Sequence, residues 1–149
     1  MRALVQRVTE AGVYITDPVY SAETKAGMVI LLGVKEGDTI QDVTFVADKC
    51  ANLRIFEDEN GKMNISIKET AGEVLIISQF TLYGETARGN RPAFTLAAKP
   101  ETANVLYEAF VERMKENLGA QKIKTGIFAA MMSVKIINDG PVTLIVESK

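Results

Sequence analysis

Two short polar segments carry the side chains best suited to chemistry in this sequence of 149 residues: Ser78-Gln79-Phe80-Thr81 and Asn138-Asp139-Gly140-Pro141-Val142-Thr143. The first follows the apolar run Val74-Leu75-Ile76-Ile77. Past the end of a strand, backbone N–H groups lack ladder partners, and such fixed donors can hold the oxyanion of an acyl-transfer reaction. Thr81 adds a hydroxyl, but the chain contains no histidine to take its proton, and no lysine or carboxylate base can be placed beside it from sequence. A covalent mechanism of the hydroxyl–imidazole kind is therefore excluded. The plainer reading of the same four residues is a strand end meeting solvent. For the second segment the plainer reading is a turn, because Asp-Gly between apolar stretches favours a tight hairpin. General X–Pro statistics give a cis Gly140–Pro141 bond only ~5% of the time.

Composition narrows the chemistry further. The absence of histidine removes the commonest metal ligand, and the carboxylates are scattered where solvation explains them, so neither a metal nor any other cofactor is expected. Cys50 is the single cysteine; it sits in an apolar helical pattern and reads as a buried, inert thiol. A net charge of −2 and a pI near 5.3 argue against wrapping a long nucleic acid, so no DNA partner is expected, while a short nucleic-acid terminus remains compatible. No apolar run approaches the ~20 residues of a membrane span. Met1 to Arg7 also lacks the pattern of a signal peptide, so a cytoplasmic location is expected.

The elements that must position these segments follow from periodicity. Leu4–Val8 and Val13–Thr16 read as two short strands around Glu10-Ala11-Gly12, and Met28–Val34 as a third, forming a meander. Thr39 with Asp42 three places on opens a helix to about Leu53, with Val43, Val46, Ala47, Cys50 and Leu53 on one face. Asp58-Glu59-Asn60-Gly61 marks a hairpin. The continuous apolar character of Glu73–Phe80 predicts a strand buried on both faces. Tyr83–Arg91, with two glycines and two arginines, reads as a surface loop. Pro100 opens a second amphipathic helix that stops near Gly119. Strands near Ile123, at Ser133–Ile137 and at Thr143–Val146 complete the chain, the last two joined by a turn at Asn138–Pro141. The whole is one domain, residues 1–149, of α+β class, in which mostly antiparallel strands form a barrel-like core with two main helices on one face.

Taken together and in order, Ser78-Gln79-Phe80-Thr81 and Asn138-x-Gly140-Pro141-x-Thr143 resemble the paired signatures of the D-aminoacyl-tRNA deacylase family. The likeness extends to Leu4-Val5-Gln6-Arg7-Val8, Leu31-Leu32-Gly33-Val34, Arg54-Ile55-Phe56, Gly61-Lys62-Met63-Asn64, Arg88-Gly89-Asn90-Arg91-Pro92 and Thr125-Gly126. It departs from the family's habit at Tyr83, Ile127 and Met131.

The resemblance implies a homodimer that hydrolyses the ester joining a D-amino acid, or glycine, to the 3′-terminal adenosine of tRNA. Ser78, Gln79, Phe80 and Thr81 would line the catalytic pocket. Gly140 and Pro141 would enter the partner's pocket through a cis peptide that aims two carbonyls at the substrate, with Asn138, Asp139 and Thr143 holding that loop. The family is thought to use the terminal ribose 2′-OH and backbone groups in place of a side-chain nucleophile. Two rival readings are an editing deacylase for mischarged L-aminoacyl-tRNA, which carries a trans Gly-Pro bond and different signatures, and a non-catalytic RNA-binding module of the same fold.

Overall fold

The computed structural model describes residues 1–149. Its organising element is a single long strand, β1 (Arg2–Thr16), where local pattern predicted two short ones. Continuity follows from pairing. β2 (Val19–Thr24) and β3 (Gly27–Gly33) lie end to end along one edge of β1, both antiparallel to it, so the chain gains partners on either side of Glu10. Along the opposite edge runs β8 (Ser133–Glu147), also antiparallel and equally long.

The remaining strands extend the sheet beyond β3. β4 (Phe56–Glu57) and β5 (Met63–Ile65) form the small hairpin anticipated at Asn60-Gly61. β6 (Glu73–Ser78) joins β3 and β7 (Ile123–Thr125) joins β6, both in parallel. Parallel neighbours on both sides and cover on both faces explain why β6 is apolar without alternation: Val74, Leu75, Ile76 and Ile77 are all buried.

Strand period two divides the interior into two cores. Met28, Ile30, Leu32, Val74 and Ile76 point to the face covered by helices α1 (Ile40–Asn52) and α2 (Pro100–Leu118), meeting Val43, Val46, Cys50, Phe110 and Met114. Val29, Leu75 and Ile77 point the other way, into a smaller core with Val8, Val13 and Ile15, flanked by Tyr20, Ile127, Met132 and Val134. There the sheet curls over itself and gives the barrel-like form.

Both helices begin and end where their sequences dictate. The Asp42 carboxylate accepts the Thr39 N–H at 2.8 Å to complete a capping box, Pro100 occupies the first turn of α2, and Gly119 ends it at φ +92°. The helices are stapled to each other by Arg113, whose Nε and Nη2 donate to the two Asp48 carboxylate oxygens at 2.8 and 2.9 Å. That guanidinium and the Asn117 amide hold the Asp48 carboxyl below the usual carboxylate range.

Cys50 is fully buried in the larger core, and burial pushes its thiol up to about 12. Its thiolate is scarce at neutral pH, so the native protein should leave a disulfide reagent such as DTNB unreacted at pH 8, and the thiol should react fully in denaturant. Rapid native-state labelling would show that the two helices open at Cys50.

Candidate active site

After Ser78 the chain leaves β6 and turns into a short 3-10 helix, Phe80–Tyr83. The Gln79 N–H donates to Leu32 O at 2.7 Å, extending the ladder by one residue. Free donors are therefore fewer than the sequence suggests: they narrow to Phe80 and Thr81, the first residues of a helix that offers them no internal acceptor. The Gln79 side-chain amide donates to Thr81 Oγ1. The exposed Phe80 ring meets Phe94 edge-on, with centroids 5.0 Å apart.

Two clefts open on either side of Ser78 and Phe80. One, about 460 Å³, runs among Leu32, Phe94, Tyr107 and Phe128 to the start of α2 at Lys99 and Pro100. The other, about 380 Å³, is walled by Gln79, Ala129, Met131, Met132 and Val134. Both are predominantly apolar: Ser78 and Phe80 line both, Gln79 only the smaller and Lys99 only the larger, while Thr81 lines neither, a balance suited to binding a small apolar group and orienting it by a few polar groups. Met131 lies bare at the second cleft, while Ile127 packs, partly buried, against the smaller core, so these two departures serve different ends.

The 3-10 helix is held from below. Arg2 donates through Nη1 to Leu82 O at 2.7 Å, lies 4.9 Å over the Tyr83 ring, and pairs with Glu147 at 2.8 Å. Tyr83 was expected in a surface loop, yet it is buried, and burial raises the pKa of its unpartnered hydroxyl. Gly33 makes this possible, since a Cβ there would come within 3.1 Å of Gln79 O and Leu82 Cβ.

The second segment is not the turn of a hairpin. β8 continues through it. Ladder pairs Val8↔Asn138 and Gln6↔Thr143 leave Arg7 alone opposite Asp139, Gly140, Pro141 and Val142, which bulge outward. A hairpin is unnecessary because β1 offers partners on both sides of Arg7. Asn138 Nδ2 donates to Arg7 O at 2.9 Å and Val142 O at 3.0 Å, closing the bulge at its base. Thr143 Oγ1 donates to Asn138 Oδ1, and Gln6 Nε2 to Thr143 Oγ1, both at 3.2 Å. Within the bulge, the Gly140–Pro141 bond is cis, as the resemblance implied.

Arg7, for which local pattern predicts no role, anchors the bulge from inside. It is buried, donates through Nη1 to Ile55 O at 2.8 Å, and has Asp139 Oδ2 3.0 Å from Nε. That last contact is an ion pair out of line for a hydrogen bond, since Nε has no aligned acceptor. A buried cation requires such company.

Within one chain the two segments do not meet. Arg7 is level with Met28 and Val74, whereas Ser78 lies beside Leu32 at the far end of the same strands. Three strand spacings of ~4.8 Å and about four residues of ~3.3 Å separate them by on the order of 20 Å.

Gly140 adopts φ +114°, and a Cβ there would approach Val142 Cγ2 to 2.9 Å and Arg7 Nη2 to 3.2 Å. Gly140→Ala should therefore cost ~1–3 kcal/mol, read as a lower urea midpoint at unchanged slope. An unchanged midpoint would show that the bulge accommodates a side chain.

The comparisons with known proteins agree with this layout. A family model described as D-Tyr-tRNA(Tyr) deacylase matches residues 4–147. A D-aminoacyl-tRNA deacylase of Thermotoga petrophila is 51% identical over 148 residues, covering 99% of this chain and 97% of that protein. One from Bacillus velezensis is 50% identical, covering 100% and 99%. A solved structure described as c-Myc DNA Unwinding Element Binding Protein has a TM-score of 0.93 at 40% identity, covering 100% of this chain and 99% of that one. Another, described as a probable eukaryotic D-amino acid tRNA deacylase, shares the fold at a TM-score of 0.85 and 14% identity, covering 99% and 98%. Matched from residue 4 to residue 147 and half identical to relatives of the same length, this chain belongs to the D-Tyr-tRNA(Tyr) deacylase family.

Proposed function

We infer that this chain hydrolyses the ester between a D-amino acid and the 3′-terminal adenosine of tRNA, releasing both, and thereby proofreads chirality. Full-length relatives of that name support the activity. One observation carries the mechanism: the only side chain bonded to Thr81 Oγ1 is the Gln79 amide, a donor that cannot accept a proton. Thr81 is thus not an activated nucleophile. Water adds to the ester carbonyl while the Phe80 and Thr81 amides receive the developing oxyanion. The bond to the ribose 3′ oxygen then breaks, and a proton relayed by the adjacent 2′-OH ends on that oxygen.

The reading places each site across two subunits. Separation of the two segments within one chain supports this, as does the long outer edge of β8. That edge has no partner strand and carries exposed Ile137, Leu144 and Ile145. A bare fifteen-residue edge is an association liability unless covered, and a two-fold related copy covers it. In the dimer, Gly140 and Pro141 of one protomer enter the other's pocket beside Ser78–Thr81, while Asn138, Asp139 and Thr143 fix the bulge. Its rigid carbonyls take the α-ammonium group and exclude an L side chain, whereas glycine, with nothing to exclude, is accepted. No helix is long and apolar enough to cross a membrane, and a cytoplasmic enzyme acting on aminoacyl-tRNA fits the composition. Hydrolysis of D-tyrosyl-tRNA with L-tyrosyl-tRNA spared separates this reading from an editing enzyme for L-aminoacyl esters, and no hydrolysis of either would leave an RNA-binding module.

Thr81→Ala should keep activity within about tenfold of wild type, whereas a substrate ending in 2′-deoxyadenosine should lose about a hundredfold or more. Full activity on the deoxy substrate with none in the variant would sink substrate assistance.

Mixing subunits tests the shared site. Phe80→Asp and Gly140→Val homodimers should each be inactive, while a random mixture should regain about a quarter of wild-type activity, from the heterodimers' one intact site. No recovery in verified heterodimers would place each site within one chain.

A further inference from the structure

The chain has six arginines, and four have committed guanidinium groups. Arg2 holds Leu82 O and Glu147, Arg7 holds Ile55 O and Asp139, Arg54 holds Asn64, and Arg113 holds Asp48. Arg88 and Arg91 alone have no hydrogen-bond or ion-pair partner, and both are exposed. They occupy the same loop, closed at its base by paired Glu85 and Ala93, whose amides and carbonyls exchange hydrogen bonds of 2.7 and 3.0 Å. Glu85 pairs with neither arginine.

This loop stands at the mouth of the larger cleft. Phe94, the residue after its base, packs against Phe80, and Gly84 on the other leg admits that ring, since a Cβ would lie 3.0 Å from it. From Arg91 to Phe94 is three residues, at most ~11 Å of chain. Lys99, which lines the same cleft, is likewise without an ion-pair partner. Residues 83–99 thus hold three cations and one carboxylate, in a chain whose net charge is −2. Guanidinium forks left free at the rim of a pocket suit a bidentate, planar-donor match to phosphate.

We propose that Arg88 and Arg91 grip the backbone phosphates next to the terminal nucleotide as the RNA 3′ end enters the cleft. This rests on the deacylase reading above. Ester, ribose and base occupy the clefts, and the strand carrying them must leave past the loop, so affinity for the polyanion comes from the rim.

The test compares D-tyrosyl-tRNA with 3′-O-D-tyrosyl-adenosine, an ester without phosphates. In Arg88→Gln/Arg91→Gln, the ratio of kcat/KM on the tRNA to that on the adenosine ester should fall about tenfold or more at low salt, through KM. The slope of log kcat/KM against log salt on tRNA should flatten by about 1.4, the value for two single-strand phosphate contacts. Arg88→Lys/Arg91→Lys should recover most of the salt slope. An unchanged ratio and slope, or equal losses on both substrates, would overturn the proposal while leaving the deacylase reading intact. Wild-type enzyme inactive on both esters would remove that reading, and the proposal with it.

Discussion

Because the ladder between β1 and β8 runs from Arg2↔Glu147 to Tyr14↔Ser133, every irregularity in one strand must be answered in the other. Of its two irregularities, the smaller leaves Thr9 unpaired between Val8↔Asn138 and Glu10↔Ile137, and the larger is at Arg7. Its partner strand carries four residues where β1 has one, and the extra length leaves the sheet as the Asp139–Val142 bulge. Asn138 and Thr143 close the base of that bulge by hydrogen bonds, and the buried guanidinium holds it from within. The same ladder brings Glu147 to Arg2, and Arg2 in turn fixes the 3-10 helix after Ser78. Both signature segments, which do not meet within one chain, thus depend on one pair of strands.

The arrangement matches the chemistry of a site without histidine. In the proposed mechanism backbone amides and carbonyls stabilise charge without exchanging protons themselves, which demands fixed geometry, since a misdirected dipole contributes little. Rigidity comes from different sources at the two segments. At Phe80–Tyr83 it comes from packing on Gly33 and from the Arg2 contact. At Gly140–Pro141 it comes from a network in which Asn138 alone donates to two carbonyls.

β6 gives the reason the first segment lies where it does. With parallel strands on both sides and a core on each face, it is enclosed through its middle, and its end delivers Ser78 to the boundary between two clefts. Tyr107 of α2 strengthens this placement by donating its hydroxyl to Ile76 O at 2.9 Å. The helix that forms one wall of the larger cleft is therefore tied to the strand that supplies the other.

Sequence alone determined what local chemistry encodes. Thr39 with Asp42, Pro100 and Gly119 located both helices to within a residue or two, because caps and apolar periodicity act over a few neighbours. Val74–Ile77 announced a strand buried on both faces, the missing histidine removed imidazole chemistry, and the two signatures named the family. Tertiary structure decided whatever depended on residues distant in the chain. Asp139-Gly140 has the local character of a hairpin turn, but Gln6 and Val8, about 130 residues earlier, supply ladder partners on both sides and make it a bulge within one strand. Tyr83 belongs to a polar, glycine-containing stretch, and only Arg2 and the bare Gly33 surface draw it inside. Arg7 looks like any surface cation in an alternating strand, and its burial follows from the convergence of Ile55, Glu57 and Asp139 upon it. Each of these outcomes is set by pairing and burial across the fold, which no window of neighbouring residues contains.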